Sequence, residues 1–265
     1  MNNSLQLGPL SISYYALCIL LGAFVAFLLT RIEWKKKGLP VNVLQDFYVN
    51  CLVIGIIGAR IWYVLFHLPS YANNPLGVFM IWQGGLAIQG GLMLGIAYAY
   101  YYFKKHNINF WDASDTILPY VLIAQAIGRW GNFFNQEAYG NVVTYDHLRS
   151  LHIPSFVIDG MFINGVYRQP TFLYESLWCI IAFVIIRLII KFVKLNIGQS
   201  ALLYLILYSV GRVVIESMRA DSLMFFGLRT AQLVAIAMIV GGIVLFVLFR
   251  KNQQRNTLQV INGMK

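Results

Sequence analysis

The sequence predicts an all-α protein that crosses a membrane several times, and three observations carry this. Of 265 residues, 59% are hydrophobic and only 11% charged, where an average soluble domain has about a quarter charged. The deficit extends over the whole length, which describes a polytopic membrane protein and not a soluble domain on an anchor. Seven apolar stretches reach or approach the roughly 20 residues that a helix needs to cross a bilayer. The basic residues between them fall in alternate connections.

The stretches lie near 11–30, 46–68, 86–103, 115–134, 170–193, 201–218 and 229–249. The first has no basic residues before it, so it reads as a retained helix and not as a cleaved signal peptide. Arg31, Lys35, Lys36 and Lys37 follow it. Lys104 and Lys105 follow the third, Lys191 and Lys194 the fifth, and Arg250, Lys251, Arg255 and Lys265 the seventh. With seven alternating spans all of these share one side, and the other side holds no lysine. The positive-inside rule then puts the amino terminus outside and the carboxyl terminus in the cytoplasm. The net charge of +10 follows from this topology and from anionic inner-leaflet lipid, and no nucleic-acid module is visible.

The external connections are unequal. Leu68 to Gln83 carries no formal charge, whereas residues 135–169 are longer and mixed in composition. The latter segment is expected to form a small external cap on an otherwise single membrane-embedded domain, 1–265. Within it Asn164-Gly165 is a strong two-residue hairpin signal. Cys18, Cys51 and Cys179 lie far apart in apolar runs and read as small buried hydrophobes. The chain has no His-Glu-x-x-His, no Gly-x-Ser-x-Gly, no P-loop and no cluster of carboxylates, so no metal site is expected.

Seven basic residues fall outside the cytoplasmic connections: Arg60, Arg129, Arg149, Arg168, Arg212, Arg219 and Arg229. All are arginine, which stays charged and forks onto phosphate or carboxylate. Arg60, Arg129 and Arg212 fall in the outer halves of their segments. Arg129, Asn132 and Gln136 are spaced to share one helix face, as are Arg212, Glu216 and Arg219. An interhelical ion-pair set is one reading. An anion site is the other, favoured because basic residues outnumber acidic ones in this layer and charge at membrane depth marks function. The run Trp82-Gln83-Gly84-Gly85-Leu86-Ala87-Ile88-Gln89-Gly90-Gly91 is open to two readings, close helix packing or a bent start to a helix that lines a polar cavity.

With these residues in view, the chain resembles the prolipoprotein diacylglyceryl transferase family. The block from Gly128 to Gly140 is similar to the family signature. Trp82 to Gly91, Gln169 to Glu175 and Tyr208 to Arg219 are similar to its other recurrent blocks, and the resemblance runs from about Leu7-Gly8-Pro9 to the last helix. It implies seven transmembrane helices in a bacterial cytoplasmic membrane and no cofactor. The implied partners are phosphatidylglycerol and the lipobox cysteine of preprolipoprotein signal peptides, which receives diacylglyceryl as glycerol phosphate leaves. Arg129 and Arg212 match the family's essential arginines, and Glu137 is the expected proton acceptor. Asn132, Glu216, Gln89, Tyr15, Arg60, Tyr174, Glu175, Arg219 and Gly140 are expected to bind or frame the substrate. Gln89 and Gln169 stand where the family commonly has histidine, and a glutamine amide takes no proton near neutral pH. A lipid or solute transporter would also want membrane arginines, but no inverted helix repeat appears.

Overall fold

The computed structural model describes residues 4–7, 10–72, 74–225 and 227–263, without the side chains of residues 7, 10, 11, 83, 225 and 252–263. Gly8 and Pro9, where the family resemblance begins, and Lys265 lie outside the described residues. In chain order the elements are β1 (Ser4–Leu7), β2 (Leu10–Ser13), α1 (Tyr14–Lys36), α2 (Val41–Phe66), α3 (Ile88–Lys105), α4 (Phe110–Asn135), β3 (Val142–Val143), α5 (Tyr145–Ser150), α6 (Ser155–Gly160), β4 (Phe162–Ile163), β5 (Val166–Arg168), α7 (Thr171–Phe192), α8 (Gln199–Glu216), β6 (Met224–Phe225), β7 (Leu228–Arg229) and α9 (Thr230–Gly263). Three short 3-10 turns, Leu68–Tyr71, Pro75–Phe79 and Ile81–Gln83, join α2 to α3.

The protein is mostly helical, with a long helix at each expected position. Five of these, α1, α2, α7, α8 and α9, are long and apolar enough to cross a membrane. α3 ends in tyrosines and two lysines, and α4 carries Asp112, Asp115, Pro119 and Arg129, so both are less apolar. The first helix begins at Tyr14 and not near residue 11, because Leu10-Ser11-Ile12-Ser13 alternates with a period of two and pairs with Ser4–Leu7 as an antiparallel hairpin. Several helices also outrun their apolar stretches into polar sequence. α1 continues to Lys36, where Gly38 at φ 69 sets the left-handed cap, and α9 continues past Arg250 and Lys251.

Close contacts divide the chain into two units, Met1–Thr30 with Ser114–Lys265, and Arg31–Ala113. In the smaller unit α2 and α3 pack through glycine. A Cβ at Gly58 would lie 2.6 Å from the Gly90 carbonyl oxygen, and one at Gly91 would lie 3.0 Å from that of Gly55. The close-packing reading of the glycine-rich run therefore holds for Gly90 and Gly91. Gly84 to Ala87 is non-helical and precedes the first turn of α3. Trp34 is fully buried and donates its indole N–H to the Pro40 carbonyl at 3.0 Å.

In the larger unit Leu122 and Ala126 of α4 and Cys179, Ala182 and Ile186 of α7 form a buried core, against which Leu203, Tyr204, Leu207 and Tyr208 of α8 pack. Polar side chains set the register of these helices. The Ser176 hydroxyl donates to the Ala126 carbonyl at 2.9 Å, and the Trp178 indole donates to that of Leu207 at 2.8 Å. Asp115 accepts the Gly198 and Ala201 N–H groups at 2.5 and 2.8 Å, a carboxylate cap on α8. Between α4 and α7 the chain builds a three-stranded antiparallel sheet, ordered β3-β5-β4, with α5 and α6. Phe162 pairs with Tyr167 and Ile163 with Val166, and Asn164 and Gly165 both take positive φ between them. Val157, Met161 and Ile163 of this segment are buried with Phe133 of α4 and Phe172 of α7, which holds the end of α4 against the start of α7.

Candidate functional site

Those two helix ends and the last turns of α8 carry the polar residues. Glu175 lies one turn into α7 and is almost completely buried. Its Oε2 is 2.8 Å from Nε of Arg129 on α4, and its Oε1 accepts from Nη1 of Arg212 on α8. One carboxylate thus receives two arginines from two other helices. Arg212 Nη2 is also 2.8 Å from Oε2 of Glu216, in ion-pair contact though outside hydrogen-bond alignment. Arg129 Nη2 donates to the Tyr208 hydroxyl at 3.3 Å, and one turn below Gln125 donates to that of Tyr204 at 3.1 Å. The Arg129 and Arg212 side chains keep 20% and 18% of their surface accessible.

Around this centre the loop after α4 meets the loop after α8. Gly140 and Arg219 form an antiparallel bridge, in which Asn141 N–H donates to the Met218 carbonyl at 3.1 Å and Ala220 N–H to that of Tyr139, also at 3.1 Å. A Cβ at Gly140 would meet the Gln169 Cβ at 2.7 Å and the Met218 oxygen at 3.0 Å, so this position requires glycine for close approach. Arg219 faces Asp221 through two hydrogen bonds, Nε to Oδ1 at 3.0 Å and Nη2 to Oδ2 at 3.1 Å. Asp221 Oδ2 also accepts the Ala138 N–H at 3.1 Å. Burial works against both charges, but their mutual pair outweighs it. The Asp221 carboxyl lies below the usual carboxylate range and the Arg219 guanidinium above its ordinary value.

Asn132 donates its amide to Oε1 of Glu137 at 2.8 Å, and Glu137 is exposed in the turn beyond α4. Tyr15 on α1 lies against Gly131, where a Cβ would stand 2.7 Å from the tyrosine ring, and it feels the charges of Glu137 and Arg129. Tyr174 is half-buried and joins the arginine network through no hydrogen bond among the described residues. Gln136 does not share the face of Arg129 and Asn132: α4 ends at Asn135, Gln136 takes φ 51, and its amide donates to the Gly160 carbonyl at 3.2 Å. Arg219 likewise lies beyond the end of α8, with Nη1 3.9 Å from Glu216 Oε2. Gln89 and Arg60 belong to the smaller unit. Gln89 is exposed in the first turn of α3. Arg60 is buried on α2, with its donors on the carbonyls of Gly77, Val78, Met80, Gly84 and Gly85.

Each of three guanidinium groups here has a carboxylate beside it: Glu175, Glu216 and Asp221 stand against Arg129, Arg212 and Arg219. Arg229 adds a fourth, its Nη1 donating to the Glu216 carbonyl. The ion-pair reading of these arginines describes the structure: Arg129 and Arg212 meet Glu175 across helices, and Arg212 also meets Glu216. Glu175 was legible as an acid in an apolar helix, but its central place was not. Tyr208 and Asp221 were missed. A hydroxyl in an aromatic-rich helix is a weak signal, whereas an acid two residues after Arg219 was a usable one.

The family described as prolipoprotein diacylglyceryl transferase matches residues 2–248. A relative from Halalkalibacterium halodurans named phosphatidylglycerol–prolipoprotein diacylglyceryl transferase is 46% identical over 243 residues, 91% of this chain and 84% of the relative. One of the same name from Streptococcus pneumoniae is 46% identical over 245 residues, 92% of each chain. The match extends through every helix that contributes to the arginine network. The chain belongs to the prolipoprotein diacylglyceryl transferase family.

Proposed function

We propose that this chain transfers the diacylglyceryl group of phosphatidylglycerol to the cysteine of a prolipoprotein signal peptide. The observation that carries this reading is the convergence of Arg129 and Arg212 on buried Glu175, in a chain of this family. In the reaction the peptide thiolate attacks the glyceryl carbon that bears the phosphate ester. A C–S bond forms, the C–O bond breaks, and glycerol phosphate leaves with the bonding electrons. Negative charge grows on the departing phosphate, where preorganised donors in a low-dielectric site act most strongly. Arg129 and Arg212 supply those donors, and Glu175 and Glu216 aim them. The thiol proton goes to Glu137, which Asn132 orients. Tyr15, Tyr174, Arg219 and Gly140 frame the lipid headgroup, and Gln89, an amide, acts as no base. A thiol of pKa ~8.5 ionises with modest help from adjacent positive charge, so the chemistry does not require a histidine.

The same reading takes seven spans, with α3 and α4 crossing beside the five more apolar helices, the amino terminus outside and the carboxyl terminus in the cytoplasm. The lysine asymmetry supports it. Residues 135–169 then form an external cap on a single membrane-embedded domain. The deciding experiment combines purified protein, phosphatidylglycerol and a lipobox peptide and reads the peptide mass. A diacylglyceryl increment on the cysteine is expected, and an unmodified peptide with the wild-type chain would reject the proposal.

A further inference from the structure

Arg60 and the loop that follows it do something the transfer reaction does not call for. Arg60 is 7% exposed. Its Nε donates to the Val78 carbonyl at 2.9 Å, Nη1 to those of Gly84 and Gly85 at 2.7 and 2.9 Å, and Nη2 to those of Gly77 and Met80 at 2.7 and 3.4 Å. The rings of Tyr63 and Tyr71 lie 5.9 and 5.6 Å from its guanidinium carbon. A Cβ at Gly85, which takes φ +74, would stand 2.6 Å from Nη1. Arg60 lies six residues before the end of α2, or about 9 Å back along the axis. The loop therefore folds down beside the last turns of α2, and Ala87 N–H closes it on the Ala59 carbonyl at 3.0 Å.

Three large apolar side chains of this loop are exposed. Leu76 is 70% exposed, Phe79 73% and Trp82 75%. Between Arg60 and Lys104 the chain has no Asp, Glu, Lys or Arg. Phe66 at the end of α2 and Ile88 at the start of α3 are also largely exposed, at 69% and 72%. Backbone at membrane depth is tolerated only when its polar groups are satisfied by protein, and Arg60 satisfies five carbonyls at once.

We propose that residues 68–72 and 74–87 form a pad seated in the lipid interface, folded by Arg60 and facing the acyl–headgroup boundary through Leu76, Phe79 and Trp82. Tryptophan and phenylalanine on an uncharged surface suit that layer. Lipid is favoured over an apolar peptide because the loop joins two apolar helices with no formal charge between Arg60 and Lys104, and because Arg60 already takes five of the carbonyls an extended peptide would pair with. Arg60 is then a structural residue of the pad and makes no contact with the phosphate. The inference does not depend on the transfer activity.

The test places the full chain in bilayers and isolates the Trp82 emission as the difference between wild type and Trp82→Phe. Quenching by phosphatidylcholine brominated high on its acyl chains, with little quenching by aqueous acrylamide, is expected. In Arg60→Gln, acrylamide quenching should rise at least about twofold as the loop lifts from the lipid. A nitroxide on Leu76→Cys reports depth in an otherwise intact loop, should the Arg60 variant fail to fold. Trp82 open to acrylamide and untouched by the bromolipid would overturn the proposal. So would protection that appears only after a lipobox peptide is added, which would assign the patch to the peptide.

Discussion

Glu175→Gln tests the centre of the arginine network most directly. The carboxylate is nearly buried and serves Arg129 Nε at 2.8 Å and Arg212 Nη1 at once. Glutamine is close to the same size but has one acceptor oxygen and no charge, and its amide N–H groups would face an arginine donor. Removing one partner from a buried ion pair costs about 3–5 kcal/mol. Retaining one hydrogen bond recovers about 1 kcal/mol, which leaves about 2–4 kcal/mol. If that loss falls on the transition state, at 1.36 kcal/mol per tenfold, the rate of diacylglyceryl transfer drops roughly 30- to 900-fold. If it falls on folding, it appears as a lower melting temperature with a normal rate per folded molecule. The assay pairs initial rates on phosphatidylglycerol and a lipobox peptide with thermal unfolding, and repeats both in Arg129→Gln and in the double variant. Because the two residues share one contact, the double variant should lose less than the sum of the singles. Turnover above half of wild type in Glu175→Gln with unchanged melting, or full additivity in the cycle, would refute the reasoning.

Four further outcomes are expected. Arg129→Lys and Arg212→Lys each keep the charge and lose the planar fork, so transfer should fall at least about tenfold with insertion retained; near wild-type rates in both would reject a forked phosphate contact. The Asp221 carboxyl is held below its ordinary value by Arg219, so its stabilisation is complete above about pH 4 and lost as pH falls through the native value. Asp221→Asn should therefore melt lower than wild type at pH 7, with the gap closing in acid, and a gap that does not change with pH would count against the pair. Gln89→His should stay active with the pH–rate limb of the peptide thiol, near ~8.5 or below; a new limb near ~6.5 with faster turnover would show that a base at this position helps. Single cysteines at Asn141 and Asn252, in a background without the native three, should label from outside only at Asn141, and the reverse pattern would invert the topology.

The membrane character of the chain, the positions of its long helices and the turn at Asn164-Gly165 were written locally. Apolar length, charge placement and turn chemistry act over a few to about twenty residues, and each can be read without knowing what packs against it. The arginines were legible for the same reason, since charge in an apolar helix is conspicuous one residue at a time. Their partners were not. Arg129 reaches Glu175 across 46 positions and Arg212 reaches it across 37, contacts that exist only once α4, α7 and α8 are packed. Helical spacing misled where a helix stopped: Gln136 left the face of Arg129 because α4 ended one residue earlier. It was folding, too, that spent Arg60 on its own loop, because five carbonyls up to 25 residues away closed around it. Residue type thus announced where charge would be, and tertiary structure decided what each charge would touch, because ion pairs and hydrogen bonds are matters of a few ångströms.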